Sequence, residues 1–119
     1  MTTKKGAYYE SMAAKYLKNK GLNELHRNFR HRRGEIDLVM RDVDTLIFVE
    51  VKFREQDSFG SAEESVTYKK QQSIISTANY YLTQKRLWNI PCRFDVVTIR
   101  PSKHLIKDYD INWITSAFN

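Results

Sequence analysis

Thr45-Leu46-Ile47-Phe48-Val49-Glu50-Val51-Lys52-Phe53 is the most apolar run in this sequence, and it holds an acid and a base two residues apart. On a strand, Glu50 and Lys52 point to the same face. Burying either charge without a partner is costly. Upstream, past a short polar break at Asp42-Val43-Asp44, lies Gly34-Glu35-Ile36-Asp37-Leu38-Val39-Met40, a second apolar segment with acids at alternate positions. The two segments read as neighbouring strands of a hairpin that aims carboxylates at one spot.

The loop sets the register. A two-residue loop (Val43-Asp44), or one of four residues, puts Asp37 directly opposite Glu50 and Glu35 opposite Lys52; a three-residue loop breaks that pairing. Directly opposed like charges destabilise a sheet. A bound cation reverses the sign of that interaction, and oxygen-rich ligands suit Mg²⁺ or Mn²⁺ rather than zinc. Carboxylates and a lysine around one divalent ion are suited to cutting phosphate esters. A simpler account is a Glu35–Lys52 salt bridge with Asp37 and Glu50 at a solvated sheet edge. An E-x-K triplet alone arises by chance in roughly one chain in two or three of this size. The matching position of Asp37, and a further acid on a helix described next, favour the shared metal site.

Residues 5–20 read as a helix stopped by Gly21. Its inner stripe is Glu10, Ala13, Ala14 and Leu17, so a carboxylate falls on the apolar face. A first strand is expected at 22–30, a basic turn at 31–34, and strands at 35–41 and 45–54. A loop at 56–60 precedes a long helix that reaches about residue 86. Ser61-Ala62-Glu63-Glu64 fits a capping box, and Thr67 is an equally good later start. Ile74, Ile75, Ala78, Tyr81 and Leu82 form the buried stripe of that helix, and Gln71 extends it with an inward polar group. Pro91 opens a fourth strand at 92–100. The tail from 110 to 119 is expected to pack back as a short strand or helix. The order α-β-β-β-α-β predicts an α/β fold around a central mixed sheet flanked by helices.

With 119 residues, the chain is expected to form one domain, 1–119, with a modest core. A charged fraction of 29% and a hydrophobic fraction of 41% fit a folded chain rather than a disordered one. The net charge of +6 favours polyanionic partners such as nucleic acid. A single cysteine, Cys92, excludes an internal disulfide. No apolar stretch is long enough to span a bilayer and the N-terminus lacks the apolar core of a signal peptide. No membrane is therefore expected as a partner, and the cytoplasm is the default compartment.

Together these residues resemble the PD-(D/E)XK nuclease superfamily, and within it the archaeal Holliday-junction resolvases. There an N-terminal helix gives a Glu, the second strand an Asp and the third strand E-x-K. More closely, the chain resembles the YraN-like family of bacterial proteins. Gly34-Glu35-Ile36-Asp37-Leu38, Val49-Glu50-Val51-Lys52, Ser65-Val66-Thr67, Cys92-Arg93-Phe94-Asp95-Val96-Val97, and Trp113-Ile114 with Ala117-Phe118 match its pattern over nearly the whole chain. One departure is Ile36, which stands before Asp37 where the superfamily name has Pro. The resemblance implies a restriction-endonuclease-like αβββαβ core and a divalent-metal-dependent DNA endonuclease, selective for branched structures such as Holliday junctions. It implies that Asp37, Glu50 and the Val51 carbonyl hold Mg²⁺ (or Mn²⁺), and that Lys52 orients or activates the attacking water. Glu10 would reach the ion through water or help hold a second one. Lys70 and Gln71 would contact the scissile phosphate, and Glu35 would support Lys52. Branched-DNA resolvases act as dimers, so a homodimer is expected by analogy.

His26-Arg27-Asn28-Phe29-Arg30-His31-Arg32-Arg33 holds four arginines, two histidines and no acid. Arginine forks match phosphate oxygens, so Arg27, Arg30, Arg32 and Arg33 are expected to track a nucleic-acid backbone, with Arg54 and Lys70 adding charge. A solvated surface turn is the bland alternative. His26, His31 and His104 lack metal-ligand spacing and read as surface or phosphate-contacting residues. Cys92 reads as a small buried hydrophobe. Asp95 interrupts a buried strand and is expected to be a structural hydrogen-bond acceptor. Phe53, Tyr68, Tyr80 and Tyr81 read as core or rim.

Two other functions compete with the nuclease: a non-catalytic nucleic-acid-binding protein, and a structural or regulatory partner within a larger nucleic-acid complex. Retention of Glu10, Asp37, Glu50 and Lys52 together favours catalysis. A chain without chemistry has no physical reason to keep a repulsive acid pair.

Overall fold

No β-branched side chain interrupts residues 4–19, and they form α1 (Lys4–Asn19) in the computed structural model, which describes residues 3–55, 66–103 and 108–119. Thr3 caps the helix, its hydroxyl accepting from the Gly6 N–H at 2.9 Å. Gly21, at φ +100°, ends the turn that follows. Tyr9, Glu10, Ala13, Ala14 and Leu17 are buried. The inward stripe is thus the one the spacing predicts, carboxylate included.

The strands β1 (Asn23–His31), β2 (Gly34–Asp42) and β3 (Thr45–Phe53) form an antiparallel meander. The β4 strand (Cys92–Pro101) lies parallel to β3, and β5 (Tyr109–Phe118) closes the sheet antiparallel to β4. A parallel pair needs a long crossover, and α2 (Tyr68–Gln84) supplies it. The result is a five-stranded mixed sheet in the order β1-β2-β3-β4-β5, flanked by helices. This is the α/β, restriction-endonuclease-like architecture expected, with the tail resolved as a fifth strand. Among the described residues, no helix is long and apolar enough to cross a membrane.

Each helix covers its own apolar layer. Ala13, Ala14 and Leu17 of α1 pack with Leu38, Met40, Ile47, Val49, Val97 and Ile99. Ile74, Ala78 and Tyr81 of α2 pack with Phe29, Ile36, Val39, Leu46, Phe48, Val96 and Phe118. Thr67 caps α2, its hydroxyl accepting from the Lys70 N–H at 3.2 Å, so the later of the two candidate starts is a real helix terminus. The Ser61 capping box and the loop at 56–60 lie outside the described residues. Thr77 takes a buried place on α2, while Ile75 and Leu82 are only partly buried. Thr77 is tolerated because its hydroxyl donates back to the Ser73 carbonyl at 2.9 Å. Gly34 is required beside it: a Cβ there would land on the Thr77 hydroxyl. That close approach seats the β1–β2 turn on α2.

Asp95 is fully buried and fully engaged. It accepts from Arg93 Nε at 3.1 and 3.2 Å, from Trp113 Nε1 at 2.9 Å and from the Ser116 N–H at 2.9 Å. The structural role expected for it is the one observed, and its partners tie β5 to β4. Cys92 corrects its expectation. It is exposed, because the strand opens at this residue, at the end of the sheet rather than in its middle.

The β2–β3 loop is the two-residue Val43-Asp44, with rungs from Asp42↔Thr45 to Leu38↔Val49. Val43 has φ 55° and is 75% exposed. A β-branched residue in the left-handed region costs about 1–2 kcal/mol, and here no packing offsets it. Val43→Asn is expected to raise unfolding stability by about 1 kcal/mol in urea titration. A loss of stability would show that the loop is not limited by its backbone conformation.

Candidate metal centre

The β2–β3 ladder stops at Leu38↔Val49, one rung short of Asp37 and Glu50. There the Asp37 side chain replaces the strand: its Oδ2 accepts from the Val51 N–H at 2.8 Å. Alternation along β2 slips at the same place. Ile36 and Val39 both pack under α2, whereas Leu38 and Met40 pack under α1. On β1, the facing residue Asn28 has φ 55°. The sheet therefore opens around Asp37, a carboxylate only 9% exposed.

Into that opening come side chains from five elements. Asp37 is in hydrogen-bonding reach of both Glu50 on β3 and Glu10 on α1. Asn28 on β1 hydrogen-bonds Glu10. Lys70 on α2 approaches Glu50, Nζ to Oε2 at 3.5 Å. Lys52 is half-buried, and its charge favours ionised Glu50. Asp37 is thus the acid common to Glu10 and Glu50, and Lys52 acts on Glu50.

The electrostatics of this cluster are unbalanced. Burial, then the hydrogen bond and negative charge of Asp37, push the Glu50 carboxyl up to about 9, against the opposing pull of Lys70 and Lys52. Burial and the Asp37 charge push Glu10 up to about 7, with Asn28 pulling the other way. Glu10 Oε1 is buried without a hydrogen-bond partner. An orphaned carboxylate oxygen on an acid that faces Asp37 is what a hard divalent cation would satisfy. Among the described residues, no three acidic, histidine or cysteine side chains form a cage for a metal ion. An ion here would instead rest on two carboxylates, the Val51 carbonyl and water. That open coordination suits Mg²⁺, which keeps several waters.

Other predicted residues take definite places. Glu35 forms an ion pair at 2.9 Å with Arg30, its rung partner on β1, and the β2–β3 ladder ends before it reaches Glu35 and Lys52. Arg27 is clamped: Nε and Nη2 donate to Glu24 at 2.8 Å, and Nη1 donates to Ser11 Oγ at 2.7 Å. Gln71 donates its amide to the Val66 carbonyl at 2.9 Å. Arg54 follows β3 directly, its backbone N–H donating to the Ile99 carbonyl at 2.8 Å. Arg32 and Arg33 are exposed in the turn after β1. His31 stacks on Tyr80, ring centroids 3.4 Å apart. His104 lies outside the described residues. The site residue missed in the sequence is Asn28. Its signal was an asparagine inside a strand, a position that residue type usually avoids.

The sequence matches the model of the uncharacterised protein family UPF0102 over residues 9–99. The chain belongs to that family. The YraN-like resemblance read from its motifs is therefore correct. A UPF0102 protein of Hahella chejuensis is 46% identical over 114 residues, covering 96% of this chain and 89% of the relative. One of Vibrio campbellii is 45% identical over 116 residues, covering 96% and 91%. One of Pseudomonas putida is 41% identical over 117 residues, covering 98% and 93%. The UPF0102 match contains Glu10, Asn28, Asp37, Glu50, Lys52 and Lys70.

The raised carboxyls make stability depend on pH. The folded protein keeps these protons where the unfolded chain, with carboxyls near 4.5, has lost them. Metal-free stability contributed by the pair is therefore lost as pH rises, from about 4.5 to about 7 for Glu10 and to about 9 for Glu50. Glu50→Gln is expected to raise the metal-free Tm at pH 8 by on the order of 5 °C, and to do so far less at pH 5. Equal shifts at both pH values in thermal melts would refute the electrostatic account.

Proposed function

We propose that this protein is a divalent-metal-dependent endonuclease that hydrolyses phosphodiester bonds in DNA, selecting branched structures such as Holliday junctions. The observation that carries this reading is the buried meeting of Glu10, Asp37 and Glu50, with Lys70 against Glu50 and Lys52 beside it. Three acids and two lysines brought together where a sheet opens are expensive to keep. They are useful where a polyanion must be held and attacked.

Asp37 and Glu50, with the Val51 carbonyl, would hold Mg²⁺ or Mn²⁺. When bound, that ion supplies Lewis-acid polarisation of the scissile phosphate. Asp37 keeps one oxygen on the Val51 N–H, which fixes its orientation before any ligand arrives. Lys52 would orient the attacking water and offset negative charge as it builds on the phosphate. Lys70 would leave Glu50 for a phosphate oxygen once a cation neutralises that acid. Gln71, one residue on, donates one amide N–H to the Val66 carbonyl, so only its second N–H would be left to donate to a phosphate oxygen. Arg32 and Arg33 extend the positive surface from the β1–β2 turn, and a homodimer would set two such surfaces on one branched substrate.

Cleavage over a panel of linear, flapped and four-way DNA with Mg²⁺ or Mn²⁺ tests the proposal. Lys52→Ala is expected to lower the rate by about two to four orders of magnitude while metal binding survives. Glu50→Gln is expected to abolish cleavage with DNA affinity equal or higher, because an anion has gone from the phosphate site. No cleavage of any substrate by the wild type, with DNA affinity intact, would favour a non-catalytic binding module instead.

Binding should be separable from chemistry. Arg32→Ala with Arg33→Ala is expected to weaken DNA binding and to flatten the dependence of log Kd on log salt by about one to two counterions. An unchanged salt slope would place the basic turn away from the DNA.

A further inference from the structure

Asn28 occupies a position that demands a reason. The β1–β2 ladder has rungs at Arg27↔Leu38 and Phe29↔Ile36, and no rung joins Asn28 to Asp37 between them. Asn28 lies at φ 55°, a conformation that asparagine tolerates better than most side chains. A strand kink alone could be made by glycine. Here the side chain is used: it hydrogen-bonds the carboxylate of Glu10, one oxygen of which, Oε1, is buried without a partner.

The neighbouring residue explains how the two meet. Arg27 donates Nη1 to Ser11 Oγ at 2.7 Å, and Ser11 follows Glu10 on α1. Glu24 holds the other side of the same guanidinium at 2.8 Å. The Glu24–Arg27–Ser11 clamp latches β1 to α1 one residue away from the Asn28–Glu10 contact on both elements. It fixes the approach of the amide to the carboxylate.

We infer that Asn28 is a positioning residue for Glu10. Its amide holds the Glu10 carboxylate near Asp37 and leaves the unpartnered Oε1 available to a divalent cation or to the water around it. This rests on the nuclease reading. A donor in this place does two things. It stops the Glu10 carboxylate from rotating, and it offsets part of the repulsion from Asp37 that would otherwise drive Glu10 away. Only a residue that accepts a left-handed backbone and carries a short amide does both.

The test is metal titration of the full chain, followed by thermal melting and by calorimetry with Mn²⁺. Asn28→Gly keeps the backbone freedom and removes the amide. It is expected to fold, and to need 10- to 100-fold more metal for half-maximal stabilisation, the usual cost of losing an outer-sphere partner. The metal dependence of DNA cleavage should shift with it. In a Glu10→Gln background the same substitution should move the metal midpoint less than twofold, because the effect runs through Glu10. A wild-type midpoint in Asn28→Gly, or an undiminished shift in the Glu10→Gln background, would overturn the inference while leaving the nuclease reading intact. Absence of any metal response in the wild type would overturn both. If Asn28→Gly does not fold, Asn28→Asp keeps size and backbone tolerance but replaces the donor. Its cleavage at saturating metal is expected to fall at least tenfold, and a wild-type rate would overturn the role.

Discussion

The hydrogen bond from the Val51 N–H to the Asp37 carboxylate is the contact on which the rest of the site depends. It ends the β2–β3 ladder by satisfying a backbone donor with a side chain. A buried strand N–H left unpaired would cost stability, so β2 can part from β3 only if something replaces it. Asp37 is that replacement. Because it faces the backbone with one oxygen, its charge is fixed in the gap, and Glu10 and Glu50 gather around a charge that cannot move away. Leu38 and Val49, the last paired residues of the two strands, are buried in the apolar layer under α1 and hold the strands together up to that point.

The site is built against the stability of the fold. An apolar substitute for Glu10 or Glu50 would suit the surrounding core better, and neither acid has a cation close enough to neutralise it fully. Lys70 is 3.5 Å from Glu50, yet its side chain is 42% exposed, which weakens the attraction. Such tension is common where a fold must hold a reactive arrangement in readiness, and it is carried by the packing of the two helices. Each helix therefore has two duties. One is to cover its face of the sheet, and the other is to bring a charged group to the opening, Glu10 from α1 and Lys70 from α2.

Much of this was legible in the sequence because it follows from periodicity. Glu10 falls on the inward stripe of α1 by spacing alone. The two-residue Val43-Asp44 loop sets the hairpin register, and that register puts Asp37 next to Glu50. Asp95 could be read as structural because an acid inside a run of buried β-branched residues must find donors. What could not be read depends on contacts between elements distant in sequence. The kink at Asn28 breaks the regular alternation from which positions are predicted. Arg27 looked like its arginine neighbours, and only the arrival of Ser11 and Glu24 sets it apart. Glu35 meets Arg30 because the ladder to β3 has already ended, a consequence of one side chain that no local pattern encodes. Cys92 sits in an apolar run, but strand ends are the least legible part of any pattern.

The hydrogen bonds of Asp95 also carry a temporal consequence. Its donors come from both sides: Arg93 lies two residues before it on β4, whereas Trp113 and the Ser116 amide belong to β5. On a ribosome, β4 emerges first. During that interval Asp95 has a single charged neighbour and the outer side of β4 is an open edge, a surface to which other chains can add. When β5 docks, the edge is covered and the carboxylate is satisfied in one event. The β5 strand is thus a seal, and a nascent chain lacking it would carry both an unsatisfied core acid and a sticky margin.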